Sequence, residues 1–186
     1  MPRTIEIVLA LVLSLIALPI CLGAALAVRI SSPGPVLYWS RRVGLDEAPF
    51  WMPKFRSMRT DTPDLPTDLL TDPQRWLTSV GPFLRRSSLD ELPQLYSVLT
   101  GEMALVGPRP ALVIQTDLIA ARRAVGANSV RPGITGWAQI NGRDDLSNEA
   151  KVEYDRQYCA RRSLIFDMKI LFVTALHVVR SKGVAH

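Results

Sequence analysis

The chain contains little cysteine and little histidine. Of its 186 residues, two are cysteines (Cys21 and Cys159) and two are histidines (His177 and His186). Cys21 lies in an apolar run and Cys159 in a charged stretch, so they predict neither a disulfide framework nor a Cys/His metal site. A Ser-His-Asp triad would have to use His177 or the final residue, which argues against that class of hydrolase.

Lysine is also scarce, since 18 of the 22 basic residues are arginine and the net charge is +5. Arginine presents a planar fork that binds phosphate through two hydrogen bonds, so this bias favours phosphate-bearing partners. A GC-rich genome would produce the same bias. Composition alone leaves both explanations open.

One segment has no charge at all, from Ile7 to Val28. A membrane-spanning helix needs about 20 apolar residues, so this run is long enough to span. Three explanations compete: a signal peptide cleaved after Ala25-Leu26-Ala27, a straight spanning helix, and a re-entrant hairpin that turns at Pro19. The long apolar region and the single Arg before it argue against the signal peptide.

The hairpin is favoured modestly by two features of this run. Pro19 lies near its middle, and each arm of about 11 residues would extend roughly 17 Å, too short to cross about 30 Å of hydrocarbon. Basic residues flank both ends, with Arg3 before the run and Arg29, Arg41 and Arg42 after it. The positive-inside rule therefore favours both flanks on the cytoplasmic side.

The rest of the chain alternates between short extended runs and helical patterns. Apolar and aromatic residues at 36–39 and 48–58 predict two extended segments. Helices are predicted at 111–125, 147–160 and 164–179, and the last is too short for a comfortable span, which favours a buried or surface-lying helix.

An acidic pair, Asp90 and Glu91, stands in the sequence Arg-Arg-Ser-Ser-Leu-Asp-Glu-Leu-Pro-Gln-Leu at 85–95. Serines before the pair and Pro93 after it predict that a helix begins close to Asp90, because proline is tolerated in a first turn. The positive end of a helix favours an ionised carboxylate, which can serve as a metal ligand or a nucleophile. The alternative is structural, since Ser88 and Glu91 have the spacing of a capping box.

Two further stretches carry arginine in rigid or glycine-rich surroundings. Arg109 lies between two prolines, which limits the entropy lost on binding an anion. Arg131 and Arg143 bracket a stretch with three glycines and Trp137, which lets the backbone approach a ligand. Each stretch alone is equally compatible with a surface turn, or with a glycine-rich loop around a core tryptophan.

Together these motifs closely resemble the bacterial sugar transferase family, the small monotopic polyprenyl-phosphate phosphoglycosyl transferases, over about residues 3–180. The motifs, in order, are an apolar run with a central proline, Ser-Pro-Gly-Pro-Val, Arg-Val-Gly, Lys-Phe-Arg-Ser-Met, Leu-Asp-Glu-Leu-Pro-Gln-Leu, Gly-Pro-Arg-Pro and Arg-Pro-Gly-Ile-Thr-Gly-Trp-Ala-Gln-Ile-Asn-Gly-Arg. The resemblance implies a mostly helical α/β fold. It also implies a re-entrant membrane helix-break-helix at 1–30, and a compact catalytic domain with interfacial amphipathic helices at 31–186. Glu102 and Ala104 depart from the family pattern, which has Asp and Ser there.

The resemblance also implies a mechanism in which Asp90 is the nucleophile and the Mg²⁺ ligand, and Glu91 acts as a base or orients the site. A UDP-sugar would donate its sugar-1-phosphate to polyprenyl phosphate, releasing UMP through a covalent aspartyl phosphosugar intermediate. The implied residues for the substrate phosphates are Arg85, Arg109, Lys54 and Arg56, and those for the nucleotide or sugar are Arg131, Gln139 and Arg143.

The same resemblance implies the cytoplasmic face of the bacterial inner membrane as the location. Membrane lipid is an expected partner and nucleic acid is not, while self-association stays open. A membrane-anchored, Mg-dependent phosphohydrolase would use the same carboxylate with water as acceptor, and it is the main alternative. The identity of the sugar does not follow from the sequence.

Overall fold

The computed structural model describes residues 1–63, 70–142 and 145–179. The helices described there are α1 (Arg3–Ser31), α2 (Gly81–Arg86), α3 (Gln94–Thr100), α4 (Thr116–Ala124), α5 (Trp137–Ile140), α6 (Asn148–Arg161) and α7 (Leu164–Val179). The strands are β1 (Leu37–Val43), β2 (Pro49–Phe55), β3 (Ala104–Val106) and β4 (Gly133–Thr135). The prediction of a mixed, mostly helical α/β fold is confirmed.

The strands form two small sheets. β1 and β2 are the antiparallel arms of a hairpin whose register runs from Leu37 opposite Phe55 to Val43 opposite Pro49. β3 and β4 pair in parallel. The two predicted extended segments are therefore confirmed as a hairpin, which carries Lys54 near the end of β2.

The main core lies between the hairpin, α3, the short parallel sheet and the C-terminal helices. Its most buried members are Ala10, Met52, Val98, Met103, Leu105 and Ile170. A second cluster joins α1 to the hairpin and α2 through Ala24, Val28, Phe55 and Leu84. These two clusters hold the β2 strand and the start of α3 against each other, which is where the acidic pair lies.

Helix α1 is long and apolar enough to cross a membrane, and most of its side chains are exposed. It continues as one helix through Pro19, the residue at which a re-entrant membrane hairpin was predicted to turn. One stripe is buried along its length, formed by Glu6, Ala10, Ala17, Ala24 and Val28.

Both ends of α1 contact the same globular body. Near the first end, Arg3 donates a hydrogen bond to the carbonyl of Val98, and the backbone N–H of Leu105 donates to Glu6 Oε1 at 2.8 Å. Near the other end, Val28 packs with Leu84. The helix is thus fastened to the body at both ends.

Two predicted helices have the expected bounds, and a third is shorter. Helices α6 and α7 match the predictions, and Ser147 caps α6 by accepting a hydrogen bond from the Ala150 N–H. Helix α4 begins at Thr116 instead of residue 111. The reason is tertiary pairing, because the Ala111 carbonyl accepts a hydrogen bond from the Val43 N–H at 2.9 Å, which holds this segment extended against β1.

Helix α7 packs one face on the body and leaves an apolar stripe exposed. Asp167 and Ile170 are fully buried. The exposed side chains at helical spacing are Ile165, Met168, Phe172 and Leu176. This surface-lying arrangement is one of the two that the sequence left open, the other being a buried helix.

Candidate active site

The acidic pair lies in a tight turn between two helices. Leu89–Glu91 forms a single 3-10 turn, and Ser88 before it has a left-handed backbone (φ 55°). A helical turn therefore begins close to Asp90, as predicted, but α3 itself begins only at Gln94. Ser88 makes no side-chain capping hydrogen bond, so the capping box that was the structural alternative is not formed. Pro93 directly precedes the helix, where its missing N–H costs nothing.

Glu91 is buried and joined to two cations. Its Oε1 atom accepts hydrogen bonds from Lys54 Nζ at 3.0 Å and from Arg109 at 2.9 Å. Lys54 comes from β2 and Arg109 from the loop after β3. One carboxylate therefore holds together two cationic side chains from separate parts of the chain.

Asp90 is as buried as Glu91, with each residue 9% exposed. In the part of the chain that the structure describes, no side chain or backbone group donates a hydrogen bond to the Asp90 carboxylate. Burial raises its pKa, and the neighbouring Glu91 charge raises it further, against the opposing charges of Lys54, Arg85 and Arg109. The expectation that a helix terminus would favour the ionised carboxylate is therefore not met.

Lys54 and Arg85 bring buried positive charge to the same site. Burial lowers the pKa of Lys54, and the Glu91 charge opposes that effect. Burial also lowers the pKa of Arg85, against the charge of Asp90. Arg85 Nε donates a hydrogen bond to Ser57 Oγ at 3.0 Å, which fixes the direction of its guanidinium. Three of the predicted phosphate-binding residues, Lys54, Arg85 and Arg109, thus surround the acidic pair.

Arg56 lies apart from that group. Its guanidinium is buried and donates to the carbonyls of Pro33 at 2.7 Å and Ser32 at 2.9 Å. These carbonyls belong to the linker between α1 and β1. Arg56 therefore fastens the segment after α1 to the end of β2, and its role in phosphate binding stays a prediction.

The residues predicted for the nucleotide or sugar are scattered. Arg131 is exposed, and its Nε donates to the carbonyl of Gly101 at 2.9 Å, just beyond α3. The amide oxygen and nitrogen of Gln139 are both buried and have no hydrogen-bond partner among the described residues. A buried amide without partners is costly and is available to a ligand. Arg143 lies outside the described residues.

A buried carboxylate without a partner, beside a second carboxylate and three cations, suits chemistry on a phosphate. The cations attract an anionic substrate, and the unpaired carboxylate is positioned to react or to bind a metal ion. In the described part of the chain, no three His, Cys, Asp or Glu residues cluster as a metal site.

Comparison with known proteins identifies the family. The family model described as bacterial sugar transferase matches residues 1–181. The chain belongs to the bacterial sugar transferase family. The family prediction made from the motifs is therefore confirmed.

Named relatives of this sugar transferase fall into long and short proteins. The UDP-glucose:undecaprenyl-phosphate glucose-1-phosphate transferase of Escherichia coli (strain K12) is 44% identical over 181 residues, which is 92% of this chain and 39% of that protein. The uncharacterized sugar transferase EpsL of Bacillus subtilis (strain 168) is 45% identical over 157 residues, 84% of this chain and 76% of that protein. The exopolysaccharide production protein ExoY of Rhizobium meliloti (strain 1021) is 36% identical over 198 residues, 97% of this chain and 86% of that protein. The chain therefore spans well under half of the Escherichia coli relative and most of the two shorter ones.

One cation of this sugar transferase site was missed from the sequence. The charge of Arg42 acts on Lys54, adding to the burial that lowers the Lys54 pKa. Arg42 also donates to Ser40 Oγ at 2.9 Å and to the Pro110 carbonyl at 3.1 Å. From the sequence, Arg42 was assigned to the basic flank of the apolar run and to the Arg-Val-Gly motif, and not to the site. Alternation along a predicted strand would have separated Arg42 from Arg41 and placed it on the face of buried Ser40.

Proposed function

We propose that this chain transfers a sugar-1-phosphate from a UDP-sugar to polyprenyl phosphate and releases UMP. The observation that carries the proposal is the buried Asp90 carboxylate, which has no partner among the described residues and lies beside Glu91, Lys54, Arg85 and Arg109. The printed name of the Escherichia coli relative supports this donor and this type of acceptor, since it names UDP-glucose and undecaprenyl phosphate. The sugar carried by this chain is a separate question.

The first step is a displacement by Asp90. A carboxylate oxygen of Asp90 attacks the β-phosphorus of the UDP-sugar, and the bond from that phosphorus to the bridging oxygen breaks. UMP leaves with the electron pair, and the sugar phosphate is now bonded to Asp90. Such covalent catalysis divides one difficult transfer into two easier steps.

The second step regenerates the free carboxylate of Asp90. An oxygen of the polyprenyl phosphate attacks the same phosphorus, the bond to Asp90 breaks, and a polyprenyl diphosphosugar forms. Two successive displacements spare the site from binding a soluble donor and a lipid acceptor together.

The cations make attack by an anion on an anion feasible. Arg85 and Arg109 would hold phosphate oxygens, and Lys54 binds the same Glu91 oxygen as Arg109. Fixed positive charge in a buried site stabilises charge that develops in the transition state, without costly reorganisation. Glu91 acts by orienting two of these cations, since it binds both Lys54 and Arg109.

The donor set fits Mg²⁺ when the substrate shares in its ligation. Mg²⁺ in proteins is typically held by one or two carboxylates together with substrate phosphates and water. Asp90 would supply the carboxylate, because Glu91 is already joined to two cations. Bound there, Mg²⁺ would neutralise diphosphate charge.

We also propose that α1 enters the membrane from the cytoplasmic side and returns to it, with the break at Pro19. From Glu6 to Val28 a straight helix would extend about 33 Å, as much as the hydrocarbon thickness. Both of those residues contact the same globular body. If α1 crossed the bilayer, the body would have to lie inside it, so contacts at both ends support a segment with both ends on one side.

The surface supports seating of the body at the membrane interface. The apolar stripe of α7 is exposed, and so are Trp39, Trp51 and Phe83. Aromatic and apolar groups of this kind are enriched at headgroup depth. Residues 1–30 would then be the membrane hairpin and residues 31–186 a catalytic domain at the cytoplasmic face of the inner membrane, near the phosphate of the lipid acceptor.

An assay with a radiolabelled UDP-sugar tests the reaction. We expect UMP and a labelled lipid diphosphosugar only when polyprenyl phosphate is added. UMP released equally without lipid would instead indicate the phosphohydrolase, and no turnover with any UDP-sugar would remove the proposal and indicate a non-catalytic membrane adaptor. In the same assay, Asp90→Asn should abolish turnover. Asp117→Asn, which changes an exposed aspartate of α4 in the same way, is the matched control and should keep full activity.

Cysteine labelling tests the topology separately. In a background with Cys21 and Cys159 replaced by serine, Thr4→Cys and Pro35→Cys place exposed thiols near the first and last residues of α1. We expect both thiols to be protected from a membrane-impermeant reagent until the cells are permeabilised. Labelling of one thiol in intact cells would mean that α1 crosses the membrane.

A further inference from the structure

The loop that carries Arg109 is held almost entirely through its carbonyl groups. Pro108 and Pro110 have no N–H, so this loop has few donors of its own. Four consecutive carbonyls each accept a hydrogen bond, Pro108 from Gly133 N–H at 2.9 Å, Arg109 from Arg122 at 2.8 Å, Pro110 from Arg42 at 3.1 Å and Ala111 from Val43 N–H at 2.9 Å. The backbone of Arg109 is therefore fixed by donors from separate elements.

Arg122, which holds the Arg109 carbonyl, is itself paired with Asp155. Its Nε and one terminal nitrogen lie 2.8 and 2.7 Å from Asp155 Oδ2, and its other terminal nitrogen donates to the Arg109 carbonyl. Arg122 is 5% exposed and Asp155 is 1% exposed. A buried guanidinium needs a carboxylate as counter-charge. Asp155 on α6 supplies it for Arg122 on α4, the residue that donates to the Arg109 carbonyl.

We infer that Asp155 and Arg122 are positioning residues that set where the Arg109 guanidinium stands. The inference rests on the proposed function, in which Arg109 binds both Glu91 and a substrate phosphate. Asp155 orients Arg122, Arg122 fixes the Arg109 carbonyl, and the fixed backbone directs the side chain to Glu91 Oε1. Because displacement of a catalytic group by about 1 Å can cost on the order of 100-fold in rate, this pair influences the reaction without touching substrate.

A double-mutant cycle between Asp155 and Arg109 tests the inference. We expect Asp155→Asn to lower kcat/KM for lipid-dependent UMP release by about tenfold when Arg109 is present. In an Arg109→Ala background, the same substitution should change kcat/KM by less than about twofold. Losses that multiply independently would overturn the inference, because a purely structural role for Asp155 does not depend on the Arg109 side chain.

The same helix offers a matched control. Glu153→Gln removes an exposed carboxylate that pairs with Arg156 on α6. We expect it to leave kcat/KM unchanged in both backgrounds, since exposed ion pairs contribute little. A loss equal to that of Asp155→Asn would also overturn the inference, because it would show a general sensitivity of α6.

Hydrogen exchange supplies a readout that needs no substrate. The Gly133 and Val43 amides donate to the loop carbonyls, so they should exchange faster in Asp155→Asn, while the Leu105 amide that donates to Glu6 should be unaffected. If Asp155→Asn fails to fold, Arg122→Lys serves instead, because it keeps the charge but loses the planar guanidinium. It should likewise speed exchange of the Gly133 and Val43 amides and leave the Leu105 amide unaffected. Unchanged exchange in both variants would overturn the inference, whereas a wild-type chain without transfer activity would overturn only the proposed function.

Discussion

The two acidic residues of the site are adjacent and equally buried, yet their surroundings are opposite. Glu91 accepts hydrogen bonds from Lys54 and Arg109, whereas Asp90 has no such partner in the described chain. The difference indicates a structural role for Glu91 and a chemical role for Asp90. A carboxylate bound by two cations organises the site, and a carboxylate left unpaired in the same low-dielectric setting stays reactive.

The largest difference is expected in activity. Asp90→Asn removes the proposed nucleophile and should lower kcat by at least about 10⁴-fold, whereas Glu91→Gln should disturb the positions of the cations and lower kcat on the order of 100-fold. UMP release measures both losses. Mass spectrometry of the substrate-treated protein should find phosphosugar on residue 90 in Glu91→Gln and not in Asp90→Asn. Activity near wild type in Asp90→Asn would contradict the assignment of the nucleophile.

The same two variants should change stability in opposite directions. Glu91→Gln removes the carboxylate that Lys54 and Arg109 share and should lower the free energy of unfolding by about 2 kcal/mol. The raised pKa of Asp90 means that its charged form opposes folding at neutral pH, so Asp90→Asn should raise that free energy by roughly 1 kcal/mol. Thermal unfolding in detergent would show this. Destabilisation of similar size in both variants would erase the contrast.

The acidic side of the pH profile should report Asp90. Its pKa is raised, so the carboxylate takes up a proton at a higher pH than an ordinary aspartate, and the nucleophile is lost as the pH falls through that value. As the pH is lowered, we therefore expect kcat/KM to fall before the pH reaches about 3.9, the usual aspartate value. Measurements across pH with stability controls would test this, and a profile that stays flat down to that value would contradict it.

The alkaline side should report Lys54. Burial lowers its pKa, so its positive charge is lost as the pH rises through a value below that of an ordinary lysine. Lys54→Arg keeps the charge at every accessible pH and should remove the alkaline decline, with activity at the optimum reduced by about tenfold because the fork fits differently. If the decline persists at the same pH in Lys54→Arg, another group is responsible.

The smallest effect is expected away from the acidic pair. Arg131 is exposed and donates to the Gly101 carbonyl, so Arg131→Gln should change KM for the UDP-sugar by less than about twofold. Arg85→Gln is the variant for comparison. Because the charges of Arg85 and Asp90 interact, this substitution should raise KM for the UDP-sugar by about tenfold or more. A tenfold rise in KM for Arg131→Gln would instead support nucleotide or sugar binding by Arg131.

Periodicity predicted much of the fold, and tertiary contacts explain where it failed. Helix α7 has the bounds that its apolar pattern predicts, because one face packs and the pattern continues without interruption. Helix α4 begins late because Ala111 pairs with β1, a contact that no local pattern encodes. The start of α3 was also misplaced, since the left-handed backbone of Ser88 has no sequence signal as strong as a glycine.

The residues of the candidate site could be predicted from sequence motifs, but their arrangement in space could not. The acidic pair and the proline-flanked Arg109 come together as expected. Arg56 and Arg85 were both predicted to bind phosphate, yet Arg56 binds the Pro33 carbonyl of the linker and Arg85 lies near Asp90. Which arginine faces a substrate depends on backbone carbonyls nearby, and those become visible only once the chain is folded.

The double attachment of α1 has a consequence for biogenesis. Glu6 meets its partner Leu105 across 99 residues of sequence, so this contact closes only after the ribosome has made the intervening chain. The other end of the helix can dock earlier, because Ala24 and Val28 pack on Phe55 and Leu84, which are made before Leu105. Docking of α1 is therefore complete only when the body that carries Leu105 has formed, and replacing α1 with an unrelated apolar helix should yield a chain that folds poorly.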